Sequence, residues 1–321
     1  MLGRHVNEVL KERTPDYPWG DTLPLLSRAD VRICNLECAI SDRGEEWAAT
    51  PKEFHFRTDA KNIDVLRAAN MNVASLANNH ALDYGYDALF DTLELLDAAA
   101  IHHAGAGRTL SEAEQPAIMR TGKGEVGVIA FTDNEPAWEA TSGKPGVFYV
   151  PIEPRDRRAV HLLELIKQTR NVVDLLVVST HWGPNWGYEP PPDHAPFAHA
   201  MVDAGADVVF GHSGHVFRGI EIYRHRPILY CAGDFIDDYA VDPVERNDQS
   251  FVFALEGTRG EIRSARAYPT KIQLCRAKVA RGPEMRAIAQ KMQSLSAGFG
   301  TSFRWDEADG YLVAKLARSH K

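Results

Sequence analysis

Val208-Val209-Phe210-Gly211-His212-Ser213-Gly214-His215-Val216 is the stretch from which the fold can be read. Three consecutive apolar residues read as a buried strand, and Gly211 lets the backbone turn sharply at its carboxyl end. Two histidines three residues apart then occupy the loop beyond it, where open α/β sheets place their chemistry. Two imidazoles on one stiff platform are a common start of a metal site. Three further strand-end clusters repeat the arrangement: Asn35-Leu36-Glu37, Asn78-Asn79-His80 and His181-Trp182-Gly183.

Around these clusters the chain alternates strand, loop and helix. Residues 31–36, 72–77, 127–131 and 172–180 read as strands. Residues 58–70, 86–99, 156–169, 195–204 and 283–296 carry the apolar spacing of helices. Residues 227–232 and 251–255 read as antiparallel neighbours after the short turn Arg224-His225-Arg226. Residues 41–56 are polar and irregular, the pattern of a surface loop, and the proline-rich residues 183–196 form an extended loop able to overhang a site. Ala104-Gly105-Ala106-Gly107, after His102-His103, reads as a flexible turn or an anion-binding loop. The alternation predicts a layered α/β architecture in one domain, residues 1–321, with 260–321 as a C-terminal extension of it.

A hydrophobic content of 44% and a charged content of 25% over 321 residues suit a soluble chain with a sizeable core. The net charge of -8 and pI near 5.9 argue against a nucleic-acid or anionic-membrane binder. An anionic substrate would then need a local positive centre, which a bound metal supplies. Four cysteines do not make a disulfide scaffold, and Cys34 and Cys38 read as buried and reduced. No apolar run has the length of a signal peptide or a membrane span, so a cytoplasmic location without membrane insertion is expected.

Glu37 offers a carboxylate, Asn79 an amide oxygen, and His181, His212 and His215 imidazoles. This mixed set suits zinc, manganese or iron better than calcium or magnesium. Each residue also has an ordinary reading: Glu37 a surface carboxylate, Asn79 a helix cap, the histidines hydrogen-bonded core residues. His80 adjoins a candidate ligand, and Asp83 three residues later could orient its ring, leaving it to donate a proton to a leaving group. Asp234, in Gly233-Asp234-Phe235, reads either as a hydrogen-bond partner of a ligand imidazole or as a turn residue. No Gly-x-Ser-x-Gly elbow supports a serine triad.

Taken in order, Met1-Leu2-Gly3-Arg4, Asn35-Leu36-Glu37, Phe54-His55-Phe56-Arg57, Ala77-Asn78-Asn79-His80-Ala81-Leu82-Asp83-Tyr84-Gly85, His181-Trp182-Gly183, Gly211-His212-Ser213-Gly214-His215 and Ala232-Gly233-Asp234-Phe235-Ile236 make a specific pattern. It resembles the CapA family, the poly-γ-glutamate capsule-synthesis proteins related to calcineurin-like metallophosphoesterases. The resemblance spans residues 1 to about 253. It implies a metallophosphoesterase-like sandwich of two mixed β-sheets flanked by helices. It also implies Glu37, Asn79, His181, His212 and His215 as metal ligands, His80 with Asp83 as the proton-donating pair, and Arg4 and Arg57 as anchors for a substrate carboxylate or phosphate.

Two departures bear on these expectations. The family's first strand, ending in Gly-Asp, precedes the Met-Leu-Gly-Arg motif, and the sequence begins at that Met. Either the start lies further upstream, which the intact remainder favours, or the site is a reduced one; an unpaired sheet edge is expected. The membrane anchor of capsule-assembly members is also missing, which weighs against an extracytoplasmic role. The expected activity is that of a hydrolase with one or two divalent transition-metal ions (manganese, iron or zinc). Its substrate would be a small molecule or a polyanionic polymer, cleaved at a phosphoester or a γ-glutamyl amide, with capsule-synthesis proteins as partners. The alternative is a non-catalytic component of polymer synthesis.

Overall fold

Parallel pairing organises the first half of the chain. In the computed structural model, which describes residues 1–258 and 260–316, Ile33–Asn35 (β1), Val73–Ser75 (β2) and His102–Ala104 (β3) form a parallel three-stranded sheet in the order β1-β2-β3. The second sheet comprises Ala117–Thr121 (β4), Gly124–Thr132 (β5), Leu175–His181 (β6), Val208–His212 (β7), Ile220–Tyr223 (β8) and Arg226–Leu229 (β9), in the order β8-β9-β7-β6-β5-β4. Its inner four strands are parallel and its two edge strands antiparallel. The third is antiparallel: Gln249–Thr258 (β10), Glu261–Ile272 (β11), Arg304–Asp306 (β12) and Tyr311–Lys315 (β13), in the order β10-β11-β13-β12.

Period-two alternation along the central strands decides which layer each side chain enters. Ile129, Phe131, Leu176, Val178 and Val209 join Leu162 and Ile166 of helix Arg157–Arg170 and Phe197 and Met201 of helix His194–Ala204 in one buried cluster. Their neighbours Val128, Ala130, Val177 and Val208 share a second cluster with Val73, Ala104, Phe251, Ala265 and Leu312, so one core unites the three sheets. Helices Ile63–Ala68 and Gly85–Ala98 cover the first sheet through Val65, Leu66, Leu89, Leu93 and Leu96. The expected layered α/β fold, sheets flanked by helices, is present, with the C-terminal strands adding a third sheet. Residues 317–321 of the expected extension lie outside the described residues.

The chain departs from its sequence reading at three places. Residues 227–232 and 251–255 fall in different sheets. Arg226–Leu229 instead pairs with Ile220–Tyr223, a strand the sequence reading lacks, across Arg224 and His225. Both turn residues have positive φ (48° and 65°), the backbone twist that two-residue hairpins favour. Ala104-Gly105-Ala106-Gly107 is no flexible loop: Ala106–Gly107 pairs with Gly146–Val147, and Gly105 accepts from Phe148 N at 2.8 Å. Gly211 lies inside β7 rather than at a turn, and what it provides is room. A Cβ there would sit 2.4 Å from the Tyr230 carbonyl oxygen and 2.5 Å from that of Leu229. Gly211→Ala is therefore expected to destabilise the protein by about 1–3 kcal/mol, read as a lower denaturation midpoint.

The four cysteines are unpaired; Cys38, Cys231 and Cys275 are buried and Cys34 is half-buried. No helix among the described residues is long and apolar enough to cross a membrane. Among the described residues β1 pairs only with β2, and a cavity of about 210 Å³ adjoins its residues Ile33 and Cys34, reaching Glu37, His215 and Asp234.

Candidate metal and proton-transfer site

Loops from the carboxyl ends of β1, β2, β6 and β7 meet on one side of the sheets. The first two strands contribute Glu37 and Asn79, and the next two contribute His181, His212 and His215. Asn78 joins the first pair: its Nδ2 donates to Asn35 Oδ1 (3.0 Å) and the Leu36 carbonyl (2.9 Å). Asn35 Nδ2 in turn donates to Glu37 Oε2 at 2.8 Å, aiming that carboxylate. Parallel register sets His181 directly opposite His212.

Glu37 Oε1 is the meeting point. It lies 4.0 Å from His181 Nε2 and 3.9 Å from His80 Nε2. His80 Nδ1 is 2.6 Å from Asp83 Oδ2, and the Phe56 N–H donates to the same oxygen at 2.6 Å. His215 Nδ1 is 3.1 Å from Asp234 Oδ1, the orienting contact given above as one reading of Asp234. His181 Nδ1 and His212 Nδ1 approach to 3.0 Å, and His212 Nε2 meets Ser179 Oγ at 2.8 Å.

Burial holds these imidazoles neutral: His80 and His212 are each pushed down to about 3, His181 well below its ordinary value, and His215 downward. Burial pushes Asp83 up to about 7, opposed chiefly by the charge of Lys52, and Asp234 up to about 7 as well. Neutral imidazoles keep the lone pair a metal needs.

Among the described residues, the buried Asn79 Oδ1 and His181 Nε2 have no hydrogen-bond partner, a costly arrangement unless something else satisfies them. Both are ligand atoms for a transition metal, and the 4.0 Å between Glu37 and His181 lies within two metal–ligand bonds of roughly 2.0–2.2 Å. Glu37 and His181 thus stand close enough to share an ion, and Asn79 Oδ1 and His181 Nε2 are chemically apt donors for one. His212 stands in the site, yet its two ring nitrogens face His181 and Ser179. Among the described residues, no three His, Cys, Asp or Glu side chains enclose one ion position as they stand.

The two arginines differ in what occupies them. Arg4 lies 5.4–5.7 Å from the rings of Tyr239, Phe56 and Phe54 and 3.6 Å from Asp238, at the rim of the site. Arg57 stacks on Tyr84 at 4.2 Å and donates to the Arg43 and Gly44 carbonyls, so its guanidinium braces the loop 41–56. Sequence reasoning missed Lys52, Tyr239, Trp186 and Arg218. Buried Arg218 donates to the carbonyls of Gly187 and Pro184 at 3.0 Å each and of Trp186 at 3.3 Å, fixing the overhanging loop. That loop presents Trp186, 45% exposed, with its ring centroid 5.3 Å from that of His215.

His194 stacks on Trp182 at 4.2 Å, with a buried Nδ1 that has no hydrogen-bond partner among the described residues. Burial pushes it down to about 4, whereas the unfolded chain takes up that proton near 6.5. Its contribution is complete above pH 6.5 and is lost as pH falls toward 4, because the unfolded state binds the proton first. Denaturation of the wild type and His194→Phe at pH 7 and 5 is expected to show the wild type losing about 2 kcal/mol more.

A family profile described as bacterial capsule synthesis protein PGA_cap matches residues 1–239. The chain is 33% identical over 296 residues to a probable polyglutamine synthesis accessory protein of Mycobacterium tuberculosis, covering 88% of this chain and 77% of that one. It is 30% identical over 240 residues to the PGA biosynthesis protein CapA of Bacillus subtilis, covering 74% and 61% respectively. Among solved structures, it is similar to a hypothetical protein from Thermus thermophilus at a TM-score of 0.48 and 14% identity, over 78% of this chain and 91% of that one.

Proposed function

Since the chain belongs to the PGA_cap family of bacterial capsule synthesis proteins, we propose that it is a metal-dependent hydrolase, cleaving a phosphoester or a γ-glutamyl amide in polyglutamate metabolism. The observation that carries this reading is the pair of unpartnered buried atoms, Asn79 Oδ1 and His181 Nε2, on the same rim as the His80–Asp83 pair. Glu37, Asn79, His181 and His215 would hold the ion, with His212 joining them once its ring gives up its contacts with His181 and Ser179. One or two manganese, iron or zinc ions bound there would polarise the scissile group and activate water.

The remaining chemistry belongs to the chain. With its Nδ1 proton donated to Asp83, neutral His80 presents a lone pair at Nε2. It would first accept a proton there and then return it to the leaving group. Arg4, exposed at the rim, would meet a carboxylate or phosphate of a polyanionic substrate. Capsule-synthesis proteins are the partners this reading expects.

The test is metal content and turnover together. The purified chain is equilibrated with Mn²⁺, Fe²⁺ or Zn²⁺ and dialysed. It is then analysed for bound metal and assayed on bis(p-nitrophenyl) phosphate and on a γ-glutamyl anilide. At least one retained ion and turnover of one substrate are expected. Neither retention nor turnover would leave a non-catalytic component of polymer synthesis as the better reading.

A further inference from the structure

Lys52 has only 7% of its side chain exposed, in a loop whose composition suggests a solvated surface. A lysine seldom gives up water without acidic partners. Its Nζ lies 3.4 Å from Asp83 Oδ1 and 3.3 Å from Glu135 Oε1, donates to the Asn79 carbonyl, and sits 4.8 Å from the ring centroid of Trp138. Glu135 holds a left-handed backbone (φ 53°, ψ 62°), rare for a residue with a side chain, and from there its carboxylate reaches Lys52. One ammonium thus grips the residue before His80 by its carbonyl and the residue that orients the His80 ring by its carboxylate.

We infer that Lys52 is a positioning residue for His80: it holds Asp83 as a hydrogen-bond acceptor, so that the imidazole keeps its proton on Nδ1 and turns Nε2 toward Glu37. The placement stands on the contacts alone; only its kinetic consequence rests on the hydrolase reading. His80 Nδ1 and Asp83 Oδ2 are 2.6 Å apart, close enough for either partner to hold the proton between them. The ammonium on the far carboxylate oxygen biases that choice toward the ring. Without it the ring is free to exchange tautomers, and the Asn79 carbonyl loses the donor that fixes the turn into His80.

Long-range ¹H–¹⁵N spectra of the full chain, with His80→Gln assigning the ring, read the tautomer directly. The wild type is expected to show a single form with the proton on Nδ1. Lys52→Met and Lys52→Gln are expected to show mixed or exchange-averaged ring nitrogens, and Lys52→Arg to restore the single form. In hydrolysis, the neutral variants should lose about tenfold to a hundredfold in kcat, with KM nearly unchanged. His80 signals in a folded neutral variant that superimpose on those of the wild type would overturn the inference. A wild-type ring carrying its proton on Nε2 would do so without any variant. If the wild type turns over no substrate, the hydrolase reading falls and the tautomer result still decides the role of Lys52.

Discussion

Replacing His181 with alanine is expected to lower transition-metal affinity by more than about a hundredfold, beyond the usual loss of an outer-sphere contact. The ring is fully buried and neutral, and its Nε2 has no hydrogen-bond partner among the described residues. Its removal would also free His212 from the 3.0 Å contact between their Nδ1 atoms, so part of the loss can be recovered if the His212 ring turns. Calorimetric titration with Mn²⁺ and Zn²⁺ on the wild type, His181→Ala and His181→Ala/His212→Ala separates the two contributions. Equal affinity in all three would remove His181 from any metal site. The folded state of each variant is checked by its thermal midpoint, since an Ala in place of a buried imidazole leaves a cavity.

His80→Gln is expected to have the second large effect, a fall in kcat of about 10²–10⁴-fold, the range for losing a positioned proton-transfer group, with metal content unchanged. The amide keeps much of the imidazole's polarity but cannot carry a proton from one group to another. His80 packs 4.0 Å from the Phe56 ring and is nearly enclosed, so replacement by Gln also preserves most of the packing. A substrate whose leaving group needs no proton, such as a p-nitrophenolate ester, should lose much less than an alkyl ester or an amide. Equal losses on both would remove His80 from protonation of the leaving group.

How much of this was legible in the sequence follows from which signals are local. The strands ending at His181 and His212 announce themselves because both faces are buried, which produces unbroken apolar runs that stop where the chemistry starts. The edge strand of the same sheet is harder. Ile220–Tyr223 alternates Ile, Glu, Ile and Tyr over only four residues, too short a pattern to stand out until its partner Arg226–Leu229 is seen beside it. The candidate site divides in the same way. Glu37, Asn79, His80 and the two late histidines sit next to strand ends and are visible one cluster at a time. Lys52 is invisible, because a lysine in a polar loop reads as solvated, and only the fold carries residues 41–56 inward to Asp83. Gly211 was noticed for the wrong physical reason: the approach of Leu229 and Tyr230 comes from a strand pairing that no local pattern encodes. At Arg57 and His212 residue type proposes an anchor or a ligand, and the fold adds contacts no local pattern shows: Arg57 Nη1 donates to two loop carbonyls, and both His212 ring nitrogens face neighbouring side chains.

Glu37 and Asn79 follow strands of the three-stranded sheet, whereas His181 and His212 end strands of the six-stranded one and His215 follows the second of these. An ion held by both groups would therefore act as a rivet across the seam between two separately hydrogen-bonded layers. Such a rivet binds only when the layers are in register, so it adds stability to the whole assembly, about 2.7 kcal/mol at a hundredfold excess over its dissociation constant. Hydrogen exchange would feel it most where the layers meet, at the ends of β1 and β6, and least in the antiparallel strands Gln249–Thr258 and Glu261–Ile272. In this fold, loading the centre and locking the two sheets together would be a single event.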